Sequence, residues 1–268
     1  MPIVTRFAPA PTGYLHLGHV LNAVYVWGIA RASGAGSRVL LRIEDHDRIR
    51  CRPEFEAALL DDLGWLGFSA DGAPVRQSER GDVYEGALAK LRRRGLVYAC
   101  RCSRSELASG RYPGTCADKG LAESVGLGLR VRLDSTVERF NDLRLGPQAQ
   151  QPSKQCGDLL VRDRDGNWTY QFAVVVDDWL QGVTHVIRGE DLLDSTGRQI
   201  QLARLLGRDT PPAFFHHALL MKTPSQKLSK SDGDSGVRDL RANGLSAEAV
   251  IDRAMRLAGL SRDHITGF

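Results

Sequence analysis

His16-Leu17-Gly18-His19 sets two imidazoles three residues apart, directly after the stiff Pro9-Ala10-Pro11 turn. If a helix starts there, both rings share one side of its first turn, beside unpaired backbone N–H groups and a partial positive charge. That combination suits a polyphosphate, and Gly18 lets a nucleotide come close to the backbone. Taken alone, the tetrapeptide is more simply read as two histidines capping a helix. Late in the chain, Lys227-Leu228-Ser229-Lys230-Ser231 places two lysines around hydroxyls in a polar loop. Such lysines neutralise charge building on a departing pyrophosphate, and such a loop closes when nucleotide is present. By itself this too reads as an ordinary solvated loop. Both motifs in one α/β chain are a much rarer coincidence, and no GxxxxGK[ST] sequence competes for the phosphates.

A third group is Cys100-Arg101-Cys102 with Cys116, three of the five cysteines. Three thiolates are good zinc ligands, but a CxC and one distant cysteine fall short of the four-ligand pattern, so zinc and buried free thiols both fit. Cys51 and Cys156 have no partner pattern. A disulfide framework is not expected in a chain of this kind.

The elements that must position these residues follow from periodicity. Ile3 to Phe7 alternates as a strand. Gly18 to about Ser33 repeats apolar residues at helical spacing, Arg38 to Ile43 is a β-type run, and a helix is expected from Pro53 to about Leu63. This βαβα opening implies a parallel sheet. Arg80 to Arg94 reads as helix, and Leu121 to Pro152 mixes short strands with turns, as an insertion does. Alternation resumes with Thr184 to Arg188 as strand, Ser195 to Leu206 as helix and Phe214 to Met221 as strand, and Ala247 to Ala258 is an amphipathic helix.

With 268 residues, 42% hydrophobic and 25% charged, the chain can bury a sizeable core. It begins without the basic-then-apolar order of a signal peptide, and no apolar run reaches the roughly 18 residues of a membrane span, so a cytoplasmic protein is expected. A formal charge of +4 is mild. The Arg92-Arg93-Arg94 run can meet phosphate, but such runs are more often solvated helix ends.

The stretch from Arg6 through Phe7-Ala8-Pro9-Ala10-Pro11-Thr12-Gly13-Tyr14-Leu15 to His16-Leu17-Gly18-His19, then Arg42-Ile43-Glu44-Asp45, then KLSKS, resembles the glutamyl class of class I aminoacyl-tRNA synthetases over nearly the whole chain. It is most similar to the short members that act on queuosine in tRNA(Asp) and lack an anticodon-binding domain. Asp232 to Phe268 is shorter than the about 50 residues a further domain needs, in line with that choice.

The resemblance implies a Rossmann-like α/β catalytic domain with a smaller α+β zinc-bearing insertion and a short C-terminal helical segment. Residues 1–78 would form the first half of the catalytic domain, 79–168 the insertion, 169–222 the second half, and 223–268 the KLSKS loop and helical segment. It also implies ATP as substrate, Mg²⁺ and one structural Zn²⁺. His16, Gly18, His19 and Lys230 would bind ATP, with His16, His19, Lys227 and Lys230 stabilising phosphate charge. Arg6, Ala8, Ala10, Glu44, Tyr170 and Arg188 would bind glutamate: the arginines its carboxylates, Glu44 its ammonium, Tyr170 by its hydroxyl. The family usually carries Ser where this chain has Ala10, which removes a hydroxyl near the substrate. Zinc would be held by Cys100, Cys102, Tyr112 and Cys116, a tyrosine being the fourth ligand.

The expected reaction is activation of glutamate to glutamyl-adenylate and transfer to queuosine in tRNA(Asp), by a monomer with no membrane partner. Its rivals are a minimal glutamyl-tRNA synthetase charging the 3′ end, a non-catalytic RNA-binding or amino-acid-sensing relative, and another HxGH nucleotidyltransferase. The last would not explain Arg6, Glu44, Tyr170 and Arg188 together.

Overall fold

The computed structural model describes residues 1–46, 50–103, 106, 110–223, 226–227 and 236–261, with only the backbone course at 221–223 and 226–227. Packing separates two compact units. One comprises Met1–Gln77, Val183–Leu192 and Ala213–Phe268; the other comprises Ser78–Gly182 and Leu193–Pro212.

The first unit is α/β. Strand β1 (Val4–Phe7) pairs in parallel with β2 (Arg38–Ile43), from Val4 opposite Arg38 to Phe7 opposite Leu41. A parallel neighbour needs a crossover, and α1 (Leu17–Ala32) supplies it. Leu17, Val20, Leu21, Val24 and Trp27 are all buried along this helix. Helix α2 (Pro53–Trp65) starts with proline in its first turn, where no N–H is needed, and leads to β3 (Val75–Arg76), parallel to β2. The chain returns as β9 (His185–Gly189) and β10 (Ala213–His217), paired in parallel. The Thr184 N–H donates to the Val4 carbonyl at 2.8 Å, setting the starts of β9 and β1 side by side. After the small antiparallel pair β11 (Met221–Thr223) and β12 (Gln226–Lys227) come α7 (Val237–Ala242) and α8 (Ala247–Leu257). The Ser246 hydroxyl caps α8 by accepting the Ala249 N–H at 3.2 Å. Val250 and Ala254 bury the apolar face of α8 in the same core as α1, each large buried side chain in that core contributing about 1.5–3 kcal/mol.

The second unit holds α3 (Gly81–Arg93), the antiparallel strands β4 (Val97–Cys100), β5 (Gly128–Val131) and β8 (Leu159–Arg162), and the hairpin β6 (Glu138–Asp142) with β7 (Gly146–Gln150). Short α4 (Pro152–Gln155), α5 (Tyr170–Leu180) and α6 (Thr196–Leu206) complete it. Tyr84, Leu88, Leu91, Val161, Phe172 and Leu202 form its core. Buried Asp177 is satisfied there: Tyr84 donates to it at 2.8 Å and Arg80 at 2.6 Å.

Two elements differ from the sequence reading. The strand expected from Phe214 to Met221 stops at His217, level with the end of its parallel partner β9 at Gly189. Helix α5 was not foreseen; its Val174-Val175-Val176 run is β-branched, yet burial from Phe172 to Asp178 makes packing outweigh local preference. No helix among the described residues is long and apolar enough to cross a membrane.

Candidate functional site

His16 is the N-cap of α1, in extended backbone, and both histidines of the motif serve that helix end. The Gly18 N–H donates to His16 Nδ1 at 3.0 Å, and the His16 N–H donates to His19 Nδ1 at 3.2 Å. The ring centroids lie 4.0 Å apart. Because both Nδ1 atoms accept from backbone amides, each neutral ring carries its proton on Nε2 and has an N–H donor there. Capping and phosphate binding are therefore compatible: one nitrogen holds the helix and the other is a donor. Gly18 is needed for this fold-over, since a Cβ there would meet His16 Cε1 at 2.8 Å.

Charged groups gather at the ends of neighbouring strands. Arg6 is the third residue of β1, Glu44 follows β2, and Arg188 is the fourth residue of β9; they are 4%, 7% and 4% exposed. In open α/β sheets this strand end is where ligands bind. The Arg42 guanidinium, fully buried, lies 3.5 Å from Glu44. Arg188 Nε donates to His216 Nε2 at 3.0 Å and its Nη2 to the Leu192 carbonyl at 3.3 Å. The loop between carries Ala8 and Ala10, both half-buried. It is stitched to β2 by the Glu44 N–H donating to the Pro9 carbonyl at 3.0 Å, and it turns through Thr12 N–H to Ala10 carbonyl at 2.8 Å. Tyr170 belongs to the second unit, as the first residue of α5.

The second motif is only partly described. Lys227 ends β12, whose backbone pairs with Met221, whereas Leu228, Ser229, Lys230 and Ser231 lie outside the described residues. The first described residues beyond it return to the histidine motif. Gly236 bridges to His16, and the Val237 N–H donates to the Leu15 carbonyl at 2.9 Å.

In the second unit, Cys100, Cys102 and Cys116 converge, all three sulfurs within 4.8 Å of one another. Cys102 Sγ and Cys116 Sγ are 3.7 Å apart, close to the about 3.8 Å edge of a tetrahedron with Zn–S bonds near 2.3 Å. Tyr112 Oη is 3.7 Å from Cys100 Sγ and accepts the Cys116 N–H at 2.8 Å. Three thiols and a phenol in one buried cluster are a donor set that fits zinc. Burial raises the Cys100 thiol, but hydrogen bonding from Arg130, the Cys102 backbone and Tyr112 outweighs it, so its pKa lies below the ordinary thiol value. Burial, then the neighbouring Cys116 and Cys100, push Cys102 up to about 11, and burial above all pushes Tyr112 up to about 12. A metal would have to displace those protons.

Three residues around these sites were not singled out from sequence. Arg130 stacks 3.7 Å over the Tyr112 ring and donates to Cys100 Sγ at 3.3 Å. Gly157, at φ +69°, lets the chain pass Tyr112, whose carbonyl oxygen would lie 2.0 Å from a Cβ. His216 is the partner of Arg188 described above. An arginine in a strand, a turn glycine and a strand histidine carry no pattern that separates them from structural residues.

Comparison with known proteins matches residues 2–268 to the family of tRNA synthetases class I (E and Q), catalytic domain. A glutamyl-Q tRNA(Asp) synthetase of Rhodobacter capsulatus is 40% identical, over 96% of this chain and 100% of that one. One of Symbiobacterium thermophilum is 43% identical, over 95% and 86% respectively. The crystal structure of a glutamate tRNA ligase from Elizabethkingia meningosepticum, in complex with its amino acid, superposes with a TM-score of 0.83 at 27% identity. It is covered by 100% of this chain, which spans 64% of its length.

Proposed function

Because this chain belongs to the class I tRNA synthetases (E and Q), we propose that it activates glutamate with MgATP and passes it to queuosine in tRNA(Asp). In the first step a glutamate carboxylate oxygen attacks the α-phosphorus of ATP; the bond to the bridging oxygen breaks and pyrophosphate leaves. In the second, a hydroxyl of the queuosine cyclopentenediol attacks the acyl carbon and AMP leaves. No covalent enzyme intermediate is required, so catalysis rests on positioning and electrostatics.

The observation that carries this reading is the set of buried charges Arg6, Glu44 and Arg188 at adjoining strand ends. Arg6 and Arg188 would meet two carboxylates, and Glu44, held by Arg42 at 3.5 Å, would meet one ammonium, the charge pattern of glutamate. Burial strengthens such pairing. His16 and His19 supply Nε2–H donors to the phosphates, Gly18 makes room for the nucleotide, and Lys227 and Lys230 take up charge on the leaving pyrophosphate. Zinc, held by Cys100, Cys102, Tyr112 and Cys116, would supply structure by tying β4 to the loop that carries Tyr112 and Cys116. The acceptor reading is supported by the glutamyl-Q tRNA(Asp) synthetases that match over most of their length. ATP and tRNA as substrates fit a cytoplasmic enzyme.

Pyrophosphate exchange into ATP tests the activation step. Exchange is expected with glutamate and not with glutamine or aspartate. Absence of glutamate-dependent exchange, with tRNA(Asp) present or absent, would contradict the reading.

A further inference from the structure

We propose that His216 is a positioning residue for glutamate binding, accepting the Nε–H of Arg188 and so fixing the guanidinium plane that meets a substrate carboxylate. The inference rests on the assignment of Arg188 to the glutamate site. In the parallel β9–β10 ladder, Arg188 and His216 are register partners, and cross-strand partners share a face. The Nε to Nε2 distance is 3.0 Å, and His216 is fully buried. Arginine is always a donor, so His216 Nε2 presents a lone pair and the neutral ring carries its proton on Nδ1. Phe214, two residues earlier on the same face, stacks with the His216 ring at 12° between planes, and the Arg188 guanidinium lies 5.7 Å from the Phe214 centroid. The imidazole is thus held in orientation by an aromatic neighbour and holds the guanidinium in turn.

This arrangement sets how Arg188 can recognise a ligand. With Nε engaged by His216 and Nη2 donating to the Leu192 carbonyl at 3.3 Å, a side-on pairing of a carboxylate through Nε and Nη2 is unavailable. Holding the plane before substrate arrives also spares the ordering cost that a free arginine would incur on binding.

The test measures glutamate KM, ATP KM and kcat by pyrophosphate exchange, with tRNA(Asp) present, for His216→Leu, His216→Gln and Arg188→Ala, each checked for folding by thermal denaturation. Leu removes the acceptor, whereas the Gln amide oxygen can accept the same N–H. The expected result for Leu is a rise in glutamate KM of about tenfold or more, with ATP KM and kcat changed less than about twofold. Gln should stay within about threefold of the parent. If Leu does not fold, His216→Met, whose sulfur is a far weaker acceptor, takes its place. The proposal is overturned if the acceptor-free variant keeps the parental glutamate KM, or if Gln and Leu raise it equally. Unchanged glutamate KM in Arg188→Ala would overturn the assignment of Arg188 as well, which separates the two failures.

Discussion

The Val237 N–H donates to the Leu15 carbonyl at 2.9 Å, and beside it Gly236 bridges to His16. The chain that follows the KLSKS segment is thereby anchored to the residues that open α1. Gly236 and Val237, which follow that segment in sequence, are thus tied by main chain to the residues that carry the histidine motif.

Lys230 lies outside the described residues and is proposed to take up charge developing on pyrophosphate. Lys230→Ala should lower the rate of adenylate formation by about 10²- to 10³-fold, as loss of one transition-state contact does, while glutamate affinity is kept. Single-turnover ATP cleavage checks this, and a wild-type rate would remove the assignment.

Gly18 permits the His16 ring to fold over the start of α1. A methyl group there meets His16 Cε1 at 2.8 Å, so Gly18→Ala should displace the ring, weaken the cap by about 1 kcal/mol and raise ATP KM. Thermal denaturation and exchange kinetics on the same preparation check both effects; parental values in both would show that the ring is not held as described.

The helix end at the histidine motif was legible because its features are local: a turn, a cap and a glycine lie within a few residues of one another. The strands and helices around them were legible too, since β1, α1, β2 and α8 all carry apolar side chains into one core. Arg6, Glu44 and Arg188 were visible only through the family resemblance, because a buried arginine in a strand looks in sequence like any ion-paired arginine. His216 and Arg130 were not legible at all: their roles come from cross-strand register and ring stacking, which no local spacing encodes. Asp62 was hidden for a similar reason, as an acidic residue in an amphipathic helix reads as solvated.

Asp62 in α2 is fully buried, and among the described residues neither carboxylate oxygen has a hydrogen-bond partner; Arg238 Nε approaches only to 3.9 Å. Burial raises its pKa from 3.8 to about 6, against the pull of Arg238. A carboxyl with a raised folded-state pKa takes up a proton more readily folded than unfolded, so stability falls as pH rises from about 4 to about 6 and stays lower above. Asp62→Asn should therefore be more stable than the parent by roughly 2–3 kcal/mol at about pH 7.5, the difference vanishing near pH 4. Denaturant titration at both pH values checks it, and equal stability at the higher pH would contradict it.

Gly157→Ala forces a side chain against the Tyr112 carbonyl at 2.0 Å in a left-handed conformation, which should cost at least about 2 kcal/mol and displace the tyrosine. One zinc ion per chain is expected in the parent and less in the variant. Elemental analysis after gel filtration gives the answer; full zinc content in the variant would mean that Tyr112 is not a ligand.

The most direct test of the central claim is transfer of radiolabelled glutamate, with MgATP, to tRNA(Asp) with and without queuosine, using a substrate whose 3′ terminal adenosine has been removed. Label on the queuosine-containing tRNA alone, despite the missing adenosine, is the predicted result. Label that requires the 3′ adenosine, or that appears on unmodified tRNA(Glu) instead, would contradict it and make this chain a minimal synthetase of the ordinary kind.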